Sequence, residues 1–225
     1  MISQSDTGQA PVPKSASETL LSNLSRGIHA VAQPLAILRA SLDNSHTGQM
    51  SVEEFRELTA SSAIEVERVC RLFSCLQQLV STESIKPHLS ATPTLPLLAH
   101  VADGVNLLFE ADGMIFRSVL PDTCPPVFIN RARTLQALSS VLLIAHSVSS
   151  PRDTVELIAS SSPANEVRIE VQNLNSHADT VNAEARLTMA LAEAGMRSQQ
   201  AEFSWSLKPF TVQIELKGAP PASCC

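Results

Sequence analysis

The sequence predicts two parts of different class. An N-terminal antiparallel helical hairpin forms a dimeric four-helix bundle, and a two-layer α+β sandwich follows it. Three observations predict this. Apolar residues recur at spacings of three and four over two long segments, separated by a short loop that holds Gly48. After Ile85 that rhythm stops, and helical segments alternate with short runs rich in Val and Ile. With 44% hydrophobic and 17% charged residues, the chain buries a core and is not a disordered tail.

Residues 1–15 read as a flexible lead of Ser, Gln, Pro and Gly. Residues 16–82 read as the hairpin. Leu20, Leu24, Ile28, Val31, Leu35, Leu38 and Leu42 make one stripe. Residues 44–50 form the loop. Ser51 with Glu53 and Glu54 is a good N-cap for the second helix. Val52, Phe55, Thr59, Ser62, Val66, Val69, Phe73, Leu76 and Val80 continue the alternation. Two helices cannot cover such stripes by themselves, so the hairpin is expected to dimerise. Pro87, Pro93 and Pro96 mark a linker. Residues 87–217 read as the second part: helices over 95–111, 131–149 and 184–195, and strands over 114–120, 154–160, 166–173, 202–207 and 210–216. The strands are expected to pair antiparallel. Gly113 closes its helix. Residues 218–225 read as a frayed tail.

Composition excludes several function classes. The net charge is −6, with 16 basic and 22 acidic residues, which argues against a nucleic-acid surface. No Tyr and a single Trp leave no base-stacking platform. No window reaches the ~18 uncharged apolar residues of a membrane span. The polar N-terminus has no signal core, so a cytoplasmic location is expected. Cys70 and Cys75 fall within the second helix and are expected to be reduced, buried thiols. His46, His88, His100, His146 and His177 show no metal-ligand spacing, so no metal site is expected. Ser139-Ser140 and Ser160-Ser161-Ser162 lack the context of a hydrolase nucleophile.

One segment carries chemistry: Ile-His-Ala-Val-Ala-Gln-Pro-Leu, residues 28–35. Pro34 sits inside a helix, where it costs about 3 kcal/mol, and Gly27 costs about 1 kcal/mol more. Two breakers around His29 are tolerated for a reason. Pro34 is expected to bend the helix, and Gly27 to let a partner's backbone approach. His29 follows the stripe residue Ile28 and is expected at the solvent rim, a neutral nucleophile near pH 7.

This segment resembles the phospho-accepting box of sensor histidine kinases, especially the variant H-E-L-N-Q-P-L. His29, Gln33, Pro34 and Leu35 match, whereas Ala30 and Ala32 depart. Val-Leu-Pro-Asp at 119–122 and Leu-Gln-x-Leu at 135–138 are similar to the opening of the family's ATP-binding domain. The resemblance implies that the second part is an ATPase-like domain. In autophosphorylating relatives an acid follows the histidine and acts as base; here it is Ala30. The two asparagines of the family's N-box fall on Ser140 and Ile144. The acidic D-x-G-x-G loop is replaced by Gln172-Asn173-Leu174-Asn175-Ser176-His177, and residues 114–194 hold no glycine to cradle a phosphate. The domain is therefore expected to be degenerate and free of bound cofactor.

The resemblance then implies a histidine phosphotransferase of the ChpT type, homodimeric and without ATP. It would relay a phosphoryl group between receiver-domain aspartates of a hybrid kinase and a response regulator. His29 would be the acceptor and Gln33 an auxiliary group. Ser22, Arg26, Ala30 and Ile37 would form the docking surface, and Mg²⁺ would come with the receiver. The alternative is a non-catalytic pseudokinase that binds a response regulator as scaffold or inhibitor, or a phosphatase-like helper acting through Gln33.

Overall fold

The computed structural model describes residues 16–45, 51–176 and 181–220. The expected lead, most of the hairpin loop, His46, His177 and the two terminal cysteines lie outside the described residues.

Two long helices open the chain, α1 (Ala16–Ser45) and α2 (Val52–Ser84). A capping box starts α2. The Ser51 side chain accepts from the Glu54 N–H, and the Glu54 carboxylate accepts from the Ser51 N–H at 2.7 Å. The remaining elements are β1 (Ser90–Thr92), α3 (Thr94–Ala111), β2 (Ile115–Val119), β3 (Val127–Ile129), α4 (Arg131–Ser147), β4 (Thr154–Ser161), β5 (Glu166–Asn173), α5 (Ala183–Arg197), β6 (Glu202–Leu207) and β7 (Phe210–Lys217).

Five strands form one sheet in the order β2-β4-β5-β7-β6, and β1 pairs with β3 separately. Alternate residues of β4, β5 and β7 are buried, as period-two patterning requires of a sheet covered on one face. Leu97, Phe109, Leu138, Leu142, Met189 and Met196 from α3, α4 and α5 pack on that face, giving two layers.

Three expectations need correction here. The strands are not all antiparallel: β2 pairs parallel with β4, because α4 lies between them and returns the chain to the same end of the sheet. The short strand β1 falls within the expected linker, and β3 falls between residues 120 and 131, where no strand is expected. Gly218 and Ala219 are not frayed. The Gly218 N–H donates to the Asn165 carbonyl and the Ala219 N–H to the Pro126 carbonyl, each at 2.7 Å.

The hairpin's own seam also differs from the predicted stripe. On α1 the buried positions are Gly27, Ala30 and Pro34, and on α2 they are Leu72 and Leu79. Ile28, Leu35, Leu42, Val66, Phe73 and Val80 of the predicted stripes stay exposed within one chain. The reason is steric. Small side chains let helices approach, and a Cβ on Gly27 would lie 2.2 Å from Leu76 Cδ2. So Gly27 admits a side chain of the chain's own second helix and not a partner's backbone. The thiols depart from expectation as well: Cys70 is exposed and Cys75 only half-buried.

Candidate functional site

Helix α1 runs without interruption through Pro34. Proline has no N–H, so the Ala30 carbonyl loses its helical donor one turn past His29. The break is tolerated where packing compensates. Ala30 is 5% exposed and clusters with Leu72 and Leu79 of α2 and with Leu187, Leu191 and Ala194 of α5.

Helix α5 thus joins the two parts of the molecule. One side faces the hairpin; Met189, Ala192 and Met196 belong to the core under the sheet. Its ends are tied by polar contacts. At the N-terminal end, Glu184 meets Arg71 at 3.1 Å and Arg68 at 3.7 Å. At the C-terminal end, the Arg133 guanidinium on α4 donates to Ser198 Oγ at 2.9 Å and to the Ile85 carbonyl at 2.9 Å. Gln136 Nε2 donates to Gln78 Oε1 at 2.7 Å beside it. Burial by this interface pushes the Cys75 thiol up, a hydrogen bond with Thr188 opposing.

His29 stands clear of that interface and is exposed. Its Nδ1 lies 2.8 Å from the Ser25 main-chain carbonyl. A carbonyl only accepts, so Nδ1 carries the hydrogen and Nε2, across the ring, keeps the lone pair. Arg26 and Gln33 are exposed on the same face, at spacings of three and four from His29; Ser22 is half-buried and Ile37 exposed. Ala30 does not belong to this surface. It lies under α5, so the docking role expected of it is withdrawn: residue 30 turns away from residue 29 by about 100° of helix.

The positions that would serve a nucleotide in the resemblance are occupied by the chain itself. Asn173, at the end of β5, is fully buried. Its Nδ2 donates to Ser149 Oγ at 2.7 Å and to Asp153 Oδ2 at 3.2 Å, and its Oδ1 accepts from the Asn175 N–H at 2.9 Å. Ile144 is a core residue and offers no ligand to a cation. Near Ser140, the space left between α2, α4 and α5 is about 10 Å³, room for roughly one water. Asn173 is thus committed within the chain, and the aliphatic Ile144 presents no ligand atom. Among the described residues no group of three His, Cys, Asp or Glu side chains converges on a metal position.

The sequence reading missed two features. His146, which shows no metal-ligand spacing, lies with Nε2 2.9 Å from the Asp112 carboxylate and edge-on to Phe109. The partner sits at the end of a different helix, so no local spacing signals it. The α5 interface was missed too; the run Leu187, Leu191, Ala194 carries the helical spacing that could have revealed it.

No family model matches the chain, and no curated protein matches it in sequence. Solved structures do match. The Acinetobacter baumannii histidine kinase AdeS aligns at 15% identity over 85% of this chain and 98% of its own, with a TM-score of 0.64. Full-length ShkA, solved with AMPPNP, aligns at 16% identity over 90% of this chain and 46% of its own, with a TM-score of 0.60. A histidine kinase from Burkholderia phymatum aligns at 14% identity over 93% of this chain and all of its own, with a TM-score of 0.53. At such identities what is shared is the fold. The chain has the two-part fold of histidine kinases, a long helical hairpin followed by an ATPase-like α+β unit.

Proposed function

We propose that the chain is a histidine phosphotransferase that acts without ATP. It takes a phosphoryl group from the aspartyl phosphate of one receiver domain onto His29 and gives it to the aspartate of another. The observation that carries this reading is His29 itself. It is exposed, held by Ser25 in the tautomer that leaves Nε2 free, and set on the hairpin of a histidine-kinase fold. The closed corner around Asn173 and the aliphatic Ile144 support a reading with no nucleotide step. The donor is already activated, so the protein's contribution is in-line positioning. A Mg²⁺ held by the receiver's own acids would offset the charge of the transferring group. Arg26, Gln33 and Ile37 offer the docking surface, with Ser22 at its edge.

Two further proposals complete the reading. The chain forms a homodimer through the apolar residues that its own fold leaves uncovered on the hairpin, Ile28, Leu35, Val66 and Phe73 among them. It works in the cytoplasm, where receivers reside. No described helix is long and apolar enough to cross a membrane.

The deciding experiment incubates the protein with phosphorylated receiver domains and looks for acid-labile phosphate on the chain. His29→Ala is expected to abolish acceptance while receiver binding persists. An exposed rim position of this kind changes stability by no more than about 0.5 kcal/mol. Wild-type protein that takes no phosphate from any cognate receiver refutes the reading and favours a scaffold. Gln33→Ala that spares uptake but slows loss of phosphate from a bound receiver identifies a phosphatase-like contribution.

A further inference from the structure

Helix α1 carries no carboxylate between Glu18 and Asp43. The position after His29, acidic in autophosphorylating relatives, is Ala30, and a carboxylate there would be buried under Leu187 and Leu191. Yet the imidazole is held. Its Nδ1–H donates to the Ser25 carbonyl at 2.8 Å. That carbonyl fixes the tautomer as an acid would, with one chemical difference: an amide oxygen accepts a hydrogen bond but does not take up the proton at neutral pH.

We propose that the Ser25 carbonyl is the positioning group of this site in place of an acidic neighbour, and that phosphoryl transfer through His29 therefore moves no proton in either step. The inference rests on the phosphotransfer reading. In the first step the Nε2 lone pair forms the N–P bond. The P–O bond to the donor aspartate breaks, and its electron pair leaves with the carboxylate. The ring keeps its Nδ1 hydrogen and becomes cationic, and the contact to Ser25 strengthens into a charge-assisted hydrogen bond. In the second step a carboxylate oxygen of the accepting receiver forms the new P–O bond. The N–P bond breaks, its electron pair returns to Nε2, and the ring is again neutral in the tautomer it began with. No general base is needed, and none stands on α1 within reach.

The test has two readouts on the full chain. The first is the His29 tautomer, read by nitrogen–proton correlation spectra on the neutral ring. The Nδ1–H form is expected to predominate. Replacing the Ser25–Arg26 amide by an ester weakens the Ser25 carbonyl and is expected to shift the ratio back by about fivefold, the effect of one ordinary hydrogen bond. An ester at the Leu24–Ser25 linkage also removes one helical N–H but leaves the Ser25 carbonyl an amide, and it is expected to keep the wild-type ratio. Predominance of the Nε2–H form, or equal shifts in both esters, overturns the positioning role. The second readout is the rate of phosphoryl transfer from a phosphorylated receiver in H₂O and in D₂O. Equal rates are expected, and a clear slowing in D₂O overturns the proton-free step. Predominance of Nδ1–H without phosphate uptake from any receiver upholds the Ser25 contact and refutes the phosphotransfer reading.

Discussion

Single residues decide which face of α1 does what. Large apolar side chains announce themselves in the sequence, and their stripe was legible. The seam that the fold uses is made of Gly27, Ala30 and Pro34, whose small or ring-closed side chains give little periodic signal. His29 was legible because Gln33, Pro34 and Leu35 accompany it; its contact to Ser25 was not, since it depends on a rotamer. A residue-scale prediction concerns Glu193 on α5. Burial raises its carboxyl above the ordinary value of 4.5, and the Arg197 guanidinium at 2.7 Å lowers it only in part. A raised value means that the protonated form suits the fold. That contribution is fully present below the unfolded value and is lost as pH rises through the folded one, so at pH 7 the charged form is a cost. Glu193→Gln is therefore expected to raise the melting temperature at pH 7, with the gain fading below about pH 4.5. Melts of both proteins at the two pH values check this.

Among the elements, α5 has the most to hold. Its polar ties and its leucines contribute on different scales. Glu184 meets two arginines, but Arg71 is half exposed, and such pairs are worth about 0.2–1 kcal/mol. Leu191 is buried where α5 meets the hairpin. Glu184→Gln is expected to cost no more than about 1 kcal/mol. Leu191→Ala is expected to cost about 2–4 kcal/mol, by lost transfer energy and an unfilled cavity. Denaturant titrations of the two variants measure both, and a larger loss for Glu184→Gln contradicts this ranking. The helices and the longer strands were legible because period and punctuation agree in them. Strands β1 and β3, three residues each, were not. Neither is long enough to show alternation, Pro93 directly follows β1, and Pro125 and Pro126 directly precede β3. The parallel pairing of β2 with β4 was equally hidden, since pairing direction is set by where α4 returns the chain and not by residues within the strands.

On the scale of the whole molecule, the fold class was legible and the joint between its parts was not. The joint depends on a cluster that gathers Ala30, Leu72 and Leu79 with Leu187 and Leu191, far apart in sequence. The dimer proposal is tested here. Phe73 is 56% exposed in the single chain, so Phe73→Glu is expected to leave each chain folded and to dissociate the dimer. Sedimentation at micromolar concentration reads the change, and a wild-type monomer refutes the dimer. The placement of α5 also has a consequence for synthesis. Leu72 and Leu79 are finished early, yet the residues of α5 that cover them, Leu187 and Leu191, follow more than a hundred residues later. At 5–20 residues per second, that interval is about 5–20 s. During it a nascent hairpin shows apolar surface on two faces, one awaiting α5 and one that the proposed dimer would cover. In the proposed dimer, chains growing side by side on one message would meet in that interval, and assembly would begin on the ribosome.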